Sequence, residues 1–129
     1  MSDEEMLRER RRAHRLARRL IRFLRDGWEW EIRLMPLRTD ARARRSIGFE
    51  RIIVGACLWD RHLICIDPRY RDFFAVLIHE CLHGLFPEMS EQEVLRLEYI
   101  VRRHLTVHQA KHLLVWTEAS RTYLAGAGP

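Results

Sequence analysis

The sequence contains no long apolar run. No stretch approaches the roughly 18 to 20 continuous apolar residues that a transmembrane helix needs, and the N-terminal sequence MSDEEMLRERRR lacks the apolar stretch of a secretory signal. These two absences favour a cytoplasmic protein without a membrane partner. Repeats and low-complexity linkers are also missing, and 129 residues, 47% of them hydrophobic, can bury one core. We therefore expect a single domain over residues 1–129.

Cysteine and lysine are both scarce. The three cysteines, Cys57, Cys65 and Cys81, cannot all pair, and each lies in an apolar run, so we interpret them as reduced, buried thiols. Lys111 is the only lysine, and the other basic residues are arginines that leave a net charge of +5. This charge permits an acidic or nucleic-acid partner, because net charge informs on association rather than on fold.

The spacing of apolar residues predicts a long first helix. Between Asp3 and Arg25 the apolar side chains recur at helical spacing and arginines fill the other faces. We expect one amphipathic helix over residues 1–26. The arginine-rich segment from Thr39 to Ser46 has no periodicity and is expected to be an exposed loop.

Strand-like patterns predict a small sheet over residues 28–66. From Trp28 to Leu34, apolar and charged residues alternate, as they do in a half-buried strand. Two apolar runs follow at Arg51–Trp59 and His62–Ile66, and the Asp60-Arg61 pair between them suggests a hairpin. We expect this sheet to be mostly antiparallel.

Residues 70–86 are predicted to form a helix in the middle of the protein. They are apolar on nearly every face, and the preceding Asp67-Pro68 pair is a favourable helix start. Two C-terminal helices should follow over residues 90–123, with Ser90 and Thr106 as their N-terminal caps. The expected fold class is α+β.

The buried helix contains a metal-binding pattern, His79-Glu80-Cys81-Leu82-His83. Residues four apart lie on the same face of a helix, so His79 and His83 can direct imidazole nitrogens at one metal ion. Zinc lowers the pKa of water to roughly 7, and Glu80 beside the open coordination position can accept a proton as the water attacks a carbonyl. Burying three ionisable groups without partners is costly, so a bound cation is expected.

The stretch Val76-Leu77-Ile78-His79-Glu80-Cys81-Leu82-His83-Gly84-Leu85 resembles the extended signature of the zincin metallopeptidases. The resemblance covers Trp28 to His104 and implies a minimal zincin, with the first helix backing a small sheet and an active-site helix. It also implies a zinc-dependent peptidase in which Glu80 is the catalytic base, His79 and His83 are metal ligands, and Arg51–Trp59 binds an extended peptide.

Two departures identify the type of zincin that the chain resembles. A metzincin would have a third histidine at the position of Met89 and a glycine at the position of Phe86. The resemblance is therefore to the gluzincins, in which the third metal ligand is a glutamate on a following helix.

The third ligand remains open between three glutamates. In a tight helical hairpin Glu91 and Glu93 would lie opposite the histidines, and Glu98 one turn further along. Glu91 is our first choice because it shares a face with Val94 and Leu95, which should point inward. Glu98 is the second choice, since Glu93 is accounted for as a capping residue. Equally, Glu91 could serve only as a negative charge at a helix N-terminus.

Other polar residues receive no firm role from the sequence. His104, His108 and His112 recur every four residues, but no carboxylate accompanies them, and we interpret them as solvated. A transition-state hydrogen-bond donor could be Tyr99, Tyr123 or one of these histidines.

Two functions remain open from the sequence. The first is a small intracellular zinc metallopeptidase that acts on a peptide or protein. The second is a non-catalytic, zinc-stabilised binding module that contacts nucleic acid through the Arg10–Arg12 cluster or the Arg38–Arg45 loop.

Overall fold

In a computed structural model, the structure describes residues 1–26, 30–34, 55–67 and 73–126, with side chains described as far as residue 117. Within these ranges the chain forms four α-helices and three strands. In chain order they are α1 (Asp3–Asp26), β1 (Glu31–Leu34), β2 (Gly55–Leu58), β3 (Leu63–Ile66), α2 (Phe73–Leu85), α3 (Glu91–His104) and α4 (Val107–Gly126). The α+β class is confirmed. The predicted loop from Thr39 to Ser46 lies outside the described residues.

The sheet is mixed, with β3 between β1 and β2. β2 and β3 are antiparallel, with Gly55 opposite Ile66, and a 3-10 turn at Trp59–Arg61 joins them, which confirms the hairpin. β1 pairs with β3 in the parallel direction. The expectation of a mostly antiparallel sheet is therefore wrong, because side-chain alternation indicates which face is buried but not the direction of the neighbouring strand.

α1 confirms the predicted amphipathic helix. Ser2 caps its start, because the Ser2 Oγ accepts a hydrogen bond of 3.1 Å from the Glu5 backbone N–H. Its buried side chains form one stripe: Ala13, Leu16, Ala17, Leu20 and Leu24. This stripe packs against α2, α3 and α4, so α1 closes one side of the core.

α2 is the central helix, as its apolar sequence predicted. It packs against α1, α3, β2 and β3, and Leu77 and Leu82 are fully buried. Residues 70–72, where the prediction placed the first turn, lie outside the described part. This burial sets the environment of the two histidines and the glutamate that α2 contains.

The two C-terminal helices begin at the predicted caps. The Ser90 Oγ accepts from the Glu93 backbone N–H at 3.2 Å, and the Thr106 Oγ1 accepts from that of Gln109 at 3.1 Å. α4 ends at Gly126, three residues beyond the predicted Tyr123. Within the described ranges, no helix is long and apolar enough to cross a membrane.

Candidate metal centre

The turn between α2 and α3 brings His79, His83 and Glu91 together. Glu91 Oε1 lies 2.8 Å from His79 Nε2, and Glu91 Oε2 lies 2.7 Å from His83 Nε2. The two Nε2 atoms are 3.2 Å apart, and one donor atom from each residue lies within 4.8 Å of the others. This His79–His83–Glu91 group could hold a metal ion.

The spacing of the donor atoms fits a tetrahedral cation. Zinc binds nitrogen and oxygen at about 2.0 to 2.2 Å, which places neighbouring ligand atoms of a tetrahedron roughly 3.3 Å apart. The separation of the two histidine Nε2 atoms, 3.2 Å, agrees with this value. The side chains of His79 and His83 are 13% and 14% exposed, so the group opens to solvent on one side only.

Proton-mediated contacts alone satisfy this group poorly. Each Nε2 atom faces an oxygen of Glu91, so both would need a proton to donate a hydrogen bond. Two N–H groups would then face each other across the 3.2 Å between His79 and His83. A shared cation removes this conflict because it interacts with the lone pair of each nitrogen and with the carboxylate.

Glu98 contacts the opposite side of the His79 ring. Its Oε1 atom lies 3.4 Å from His79 Nδ1, and its side chain is 15% exposed. It therefore lies behind a metal-facing histidine rather than among the donors, where a carboxylate fixes ring orientation and tautomer. Glu93 is exposed and lies outside the group.

The reason for choosing Glu91 was only partly right. Val94 is fully buried as expected, but Leu95 is 48% exposed, and the Glu91 side chain is 57% exposed. Glu91 lies in the first turn of α3, at the rim of the helical hairpin, and its carboxylate points back to the histidines. Its negative charge also lies near the positive end of the α3 dipole.

Glu80 is a nearly buried carboxylate beside this group. The residue is 7% exposed, and no hydrogen bond joins its carboxylate to another described residue. Burial raises the pKa of Glu80 to about 7; the nearby His79 opposes this shift, and the negative charges of Glu91 and Glu98 add to it. A carboxylate with such a pKa can exchange protons near neutral pH.

The pKa of His79 is shifted by competing effects. Burial lowers it, but the hydrogen bond with Glu98 and the charges of Glu80, Glu91 and Glu98 raise it by more, so the net shift is upward. In the absence of a metal, this acidic surrounding therefore favours a positive charge at His79. A metal cation would take the same favourable position.

Sequence reasoning missed Gly55 and Trp59, which connect the hairpin to the metal group. A Cβ atom at Gly55 would lie 2.5 Å from Val76 Cγ1 and 2.9 Å from Glu80 Cγ. β2 can therefore approach α2 closely only with glycine here, and a glycine within a strand pattern is the feature that could have indicated this.

The Trp59 side chain contacts the end of α2. Its indole Nε1–H donates a hydrogen bond of 2.8 Å to the His83 carbonyl oxygen, and its ring meets the His83 ring edge-on at 5.9 Å. This contact satisfies a carbonyl of the last helical turn and fixes the hairpin next to a metal-facing histidine. Nothing in the sequence pattern pointed to this pairing.

The C-terminal histidines lie apart from the metal group. His108 and His112 are exposed on α4, as predicted, with ring centroids 4.5 Å apart. The prediction was wrong for His104, whose side chain is 8% exposed and whose Nε2 lies 3.8 Å from Glu9 Oε1. The last turn of α3 packs on α1, which the local sequence pattern could not show. Tyr99 is 59% exposed, and the Tyr123 side chain lies outside the described part.

The three cysteines are free, in agreement with the prediction of reduced thiols. Cys65 and Cys81 are buried and Cys57 is partly buried. Burial raises the pKa of Cys57 to about 12 and also raises that of Cys81, with a smaller contribution from the charge of Glu80. Because a metal-binding or nucleophilic cysteine must be a thiolate, Cys57 and Cys81 act here as small apolar side chains.

Comparisons of the chain with protein families, with curated proteins and with solved structures find no match. The case for function therefore depends on the geometry and chemistry of the metal group itself.

Proposed function

We propose that the protein is a zinc-dependent hydrolase whose substrate is a peptide or protein. The observation that supports this most directly is the convergence of His79, His83 and Glu91 next to Glu80, a nearly buried carboxylate without a hydrogen-bond partner in the described part. The resemblance of the α2 sequence to gluzincin-type zincins supports the same reaction class.

Zinc suits this donor set better than other common divalent ions. Two imidazoles and one carboxylate form a set used by catalytic zinc, which leaves a fourth position for water or substrate. Magnesium and calcium prefer oxygen ligands alone. A zinc ion in this position would polarise the substrate carbonyl and make water a stronger acid. The three free thiols favour a reducing, cytoplasmic location.

The residues around the metal group would have distinct tasks. Glu80 accepts a proton from the attacking water and passes it to the leaving amine, which its pKa of about 7 permits near neutral pH. His79 and His83 hold the ion, and Glu98 keeps the His79 ring oriented. Gly55 lets β2 lie beside Glu80, where an extended substrate could pair with this strand.

Zinc content and hydrolysis, measured on the same variants, test the proposal. Purified wild-type protein should contain close to one equivalent of zinc by elemental analysis and should cleave a fluorescently labelled, unfolded protein. Glu80→Gln should keep the zinc but lose hydrolysis by about 10²-fold or more, because it removes the proton acceptor. Glu91→Ala should lose zinc, whereas Glu93→Ala, a matched change in the same helical turn, should not.

Two outcomes would contradict different parts of the proposal. If wild-type protein is metal-free and zinc does not raise its melting temperature, the metal centre is wrong. If zinc is bound at one equivalent but no extended substrate is cleaved, the hydrolase assignment fails, and the non-catalytic zinc-stabilised module becomes the better description.

A further inference from the structure

The solvent-facing side of α1 is strongly and exclusively basic over most of its length. From residue 10 to residue 25 the sequence contains no aspartate or glutamate. The exposed arginines on this side define what we call the basic face: Arg8, Arg11, Arg12, Arg15, Arg18, Arg19, Arg22 and Arg25.

The basic face lies directly opposite the buried stripe of α1. Arg11, Arg15, Arg18, Arg22 and Arg25 are separated by four, three, four and three positions, so they form a single ridge along the helix. At 1.5 Å per residue this ridge is about 21 Å long. A regular helix in contact with the core therefore presents a straight row of guanidinium groups to solvent.

These arginines have few partners within the protein. Arg25 pairs with Asp26 at 2.8 Å, and the Arg19 guanidinium lies 4.8 Å from the centre of the Phe86 ring. In the described part of the chain, no carboxylate lies within 4 Å of any other arginine of the basic face. Like charges three and four residues apart on a helix repel each other, so an anionic ligand along this ridge would relieve the repulsion.

We propose that the basic face binds the phosphate backbone of double-stranded nucleic acid. Guanidinium groups form paired hydrogen bonds with phosphate oxygens, and a row of them along one helix suits a row of phosphates. No aromatic side chain is exposed on α1, so the face has no platform on which single-stranded bases could stack. Contacts with the backbone give binding with little sequence preference.

A membrane surface fits the face less well. Helices that lie on membranes insert an apolar face beside their basic one. In α1 the apolar side is occupied by the core: Leu16, Leu20 and Leu24 are 8% exposed or less. The basic face can therefore contact an anionic surface but cannot insert into it. This inference concerns a different part of the molecule from the metal group and does not depend on hydrolysis.

Fluorescence anisotropy with labelled duplexes tests the inference on the full-length, zinc-loaded protein. Duplex DNA and duplex RNA of mixed sequence would be titrated at several salt concentrations. Affinity should fall steeply with salt, since each phosphate contact contributes roughly 0.9 to the slope of log K against log salt. The triple variant Arg15→Gln, Arg18→Gln and Arg22→Gln should reduce this slope by up to about 2.7 and weaken binding by more than tenfold.

A second triple variant controls for net charge alone. Arg61→Gln, Arg96→Gln and Lys111→Gln remove the same three charges from exposed positions outside α1. This control should bind almost as wild type does, and circular dichroism should show both variants folded. Equal weakening by both triples, tighter binding to single strands, or preferential binding to phosphatidylserine vesicles would each overturn the inference. The absence of duplex binding at low salt would overturn it as well.

Discussion

In chelator-treated protein, the substitution Glu80→Gln should increase stability at pH 8 and have a much smaller effect at pH 5. Glu80 is 7% exposed, and no hydrogen bond to a described residue stabilises its charged form. Its pKa is raised chiefly by burial, so the folded protein binds the Glu80 proton more tightly than the unfolded chain does. Stability should therefore fall as the pH rises through the range between the two pKa values.

The expected size of this effect follows from the two pKa values. The pKa of Glu80 is about 7, compared with an ordinary value of 4.5. Since each pKa unit corresponds to about 1.4 kcal/mol, ionisation of Glu80 should destabilise the metal-free fold by roughly 3 kcal/mol above pH 7. The raised pKa of His79 acts in the same direction, because its stabilising charge is lost as the pH rises above 6.5.

Urea unfolding in the presence of EDTA, at pH 5 and at pH 8, measures the difference between the two proteins. Glu93→Gln is the matched control, since Glu93 is exposed, and its stability should follow that of wild type at both pH values. Added zinc should reduce the pH dependence of wild type, because a nearby cation favours the ionised carboxylate. An equal effect of Glu80→Gln at pH 5 and pH 8 would refute the reasoning.

Two further substitutions test the surroundings of the metal group. Gly55→Ala would place a Cβ atom 2.5 Å from Val76 Cγ1 and 2.9 Å from Glu80 Cγ, so urea unfolding should show a loss of about 1 to 3 kcal/mol; an unchanged midpoint would show that β2 moves freely. Glu98→Ala removes the carboxylate 3.4 Å from His79 Nδ1 and should weaken zinc binding about tenfold or more in a competition titration with a chelating dye. Unchanged affinity would exclude an orienting role for this carboxylate.

The helices and the histidine pair could be predicted from the sequence because both depend on local spacing. The buried stripe of α1 repeats every three to four residues, and the caps at Ser90 and Thr106 use side chains within three positions of their partners. His79 and His83 are one helical turn apart, so any helix at this position directs them to the same side. These relations do not require knowledge of the rest of the fold.

The third member of the metal group was decided by tertiary structure. Glu91, Glu93 and Glu98 all follow the motif closely, and only the packing of α3 against α2 distinguishes the glutamate that meets both histidine Nε2 atoms from the one behind the His79 ring. Local spacing does not determine the rotation of one helix against another, because many side-chain contacts set it together.

The same limit explains the other corrections. The parallel pairing of β1 with β3, the burial of His104 against α1 and the contact of Trp59 with the His83 carbonyl all join residues distant in the chain. Alternation and helical periodicity report which side of an element is apolar, whereas strand direction and neighbour identity depend on how the elements pack. The sequence by itself therefore determined the elements and the two histidines, and the tertiary structure decided which carboxylates, strand and indole surround them.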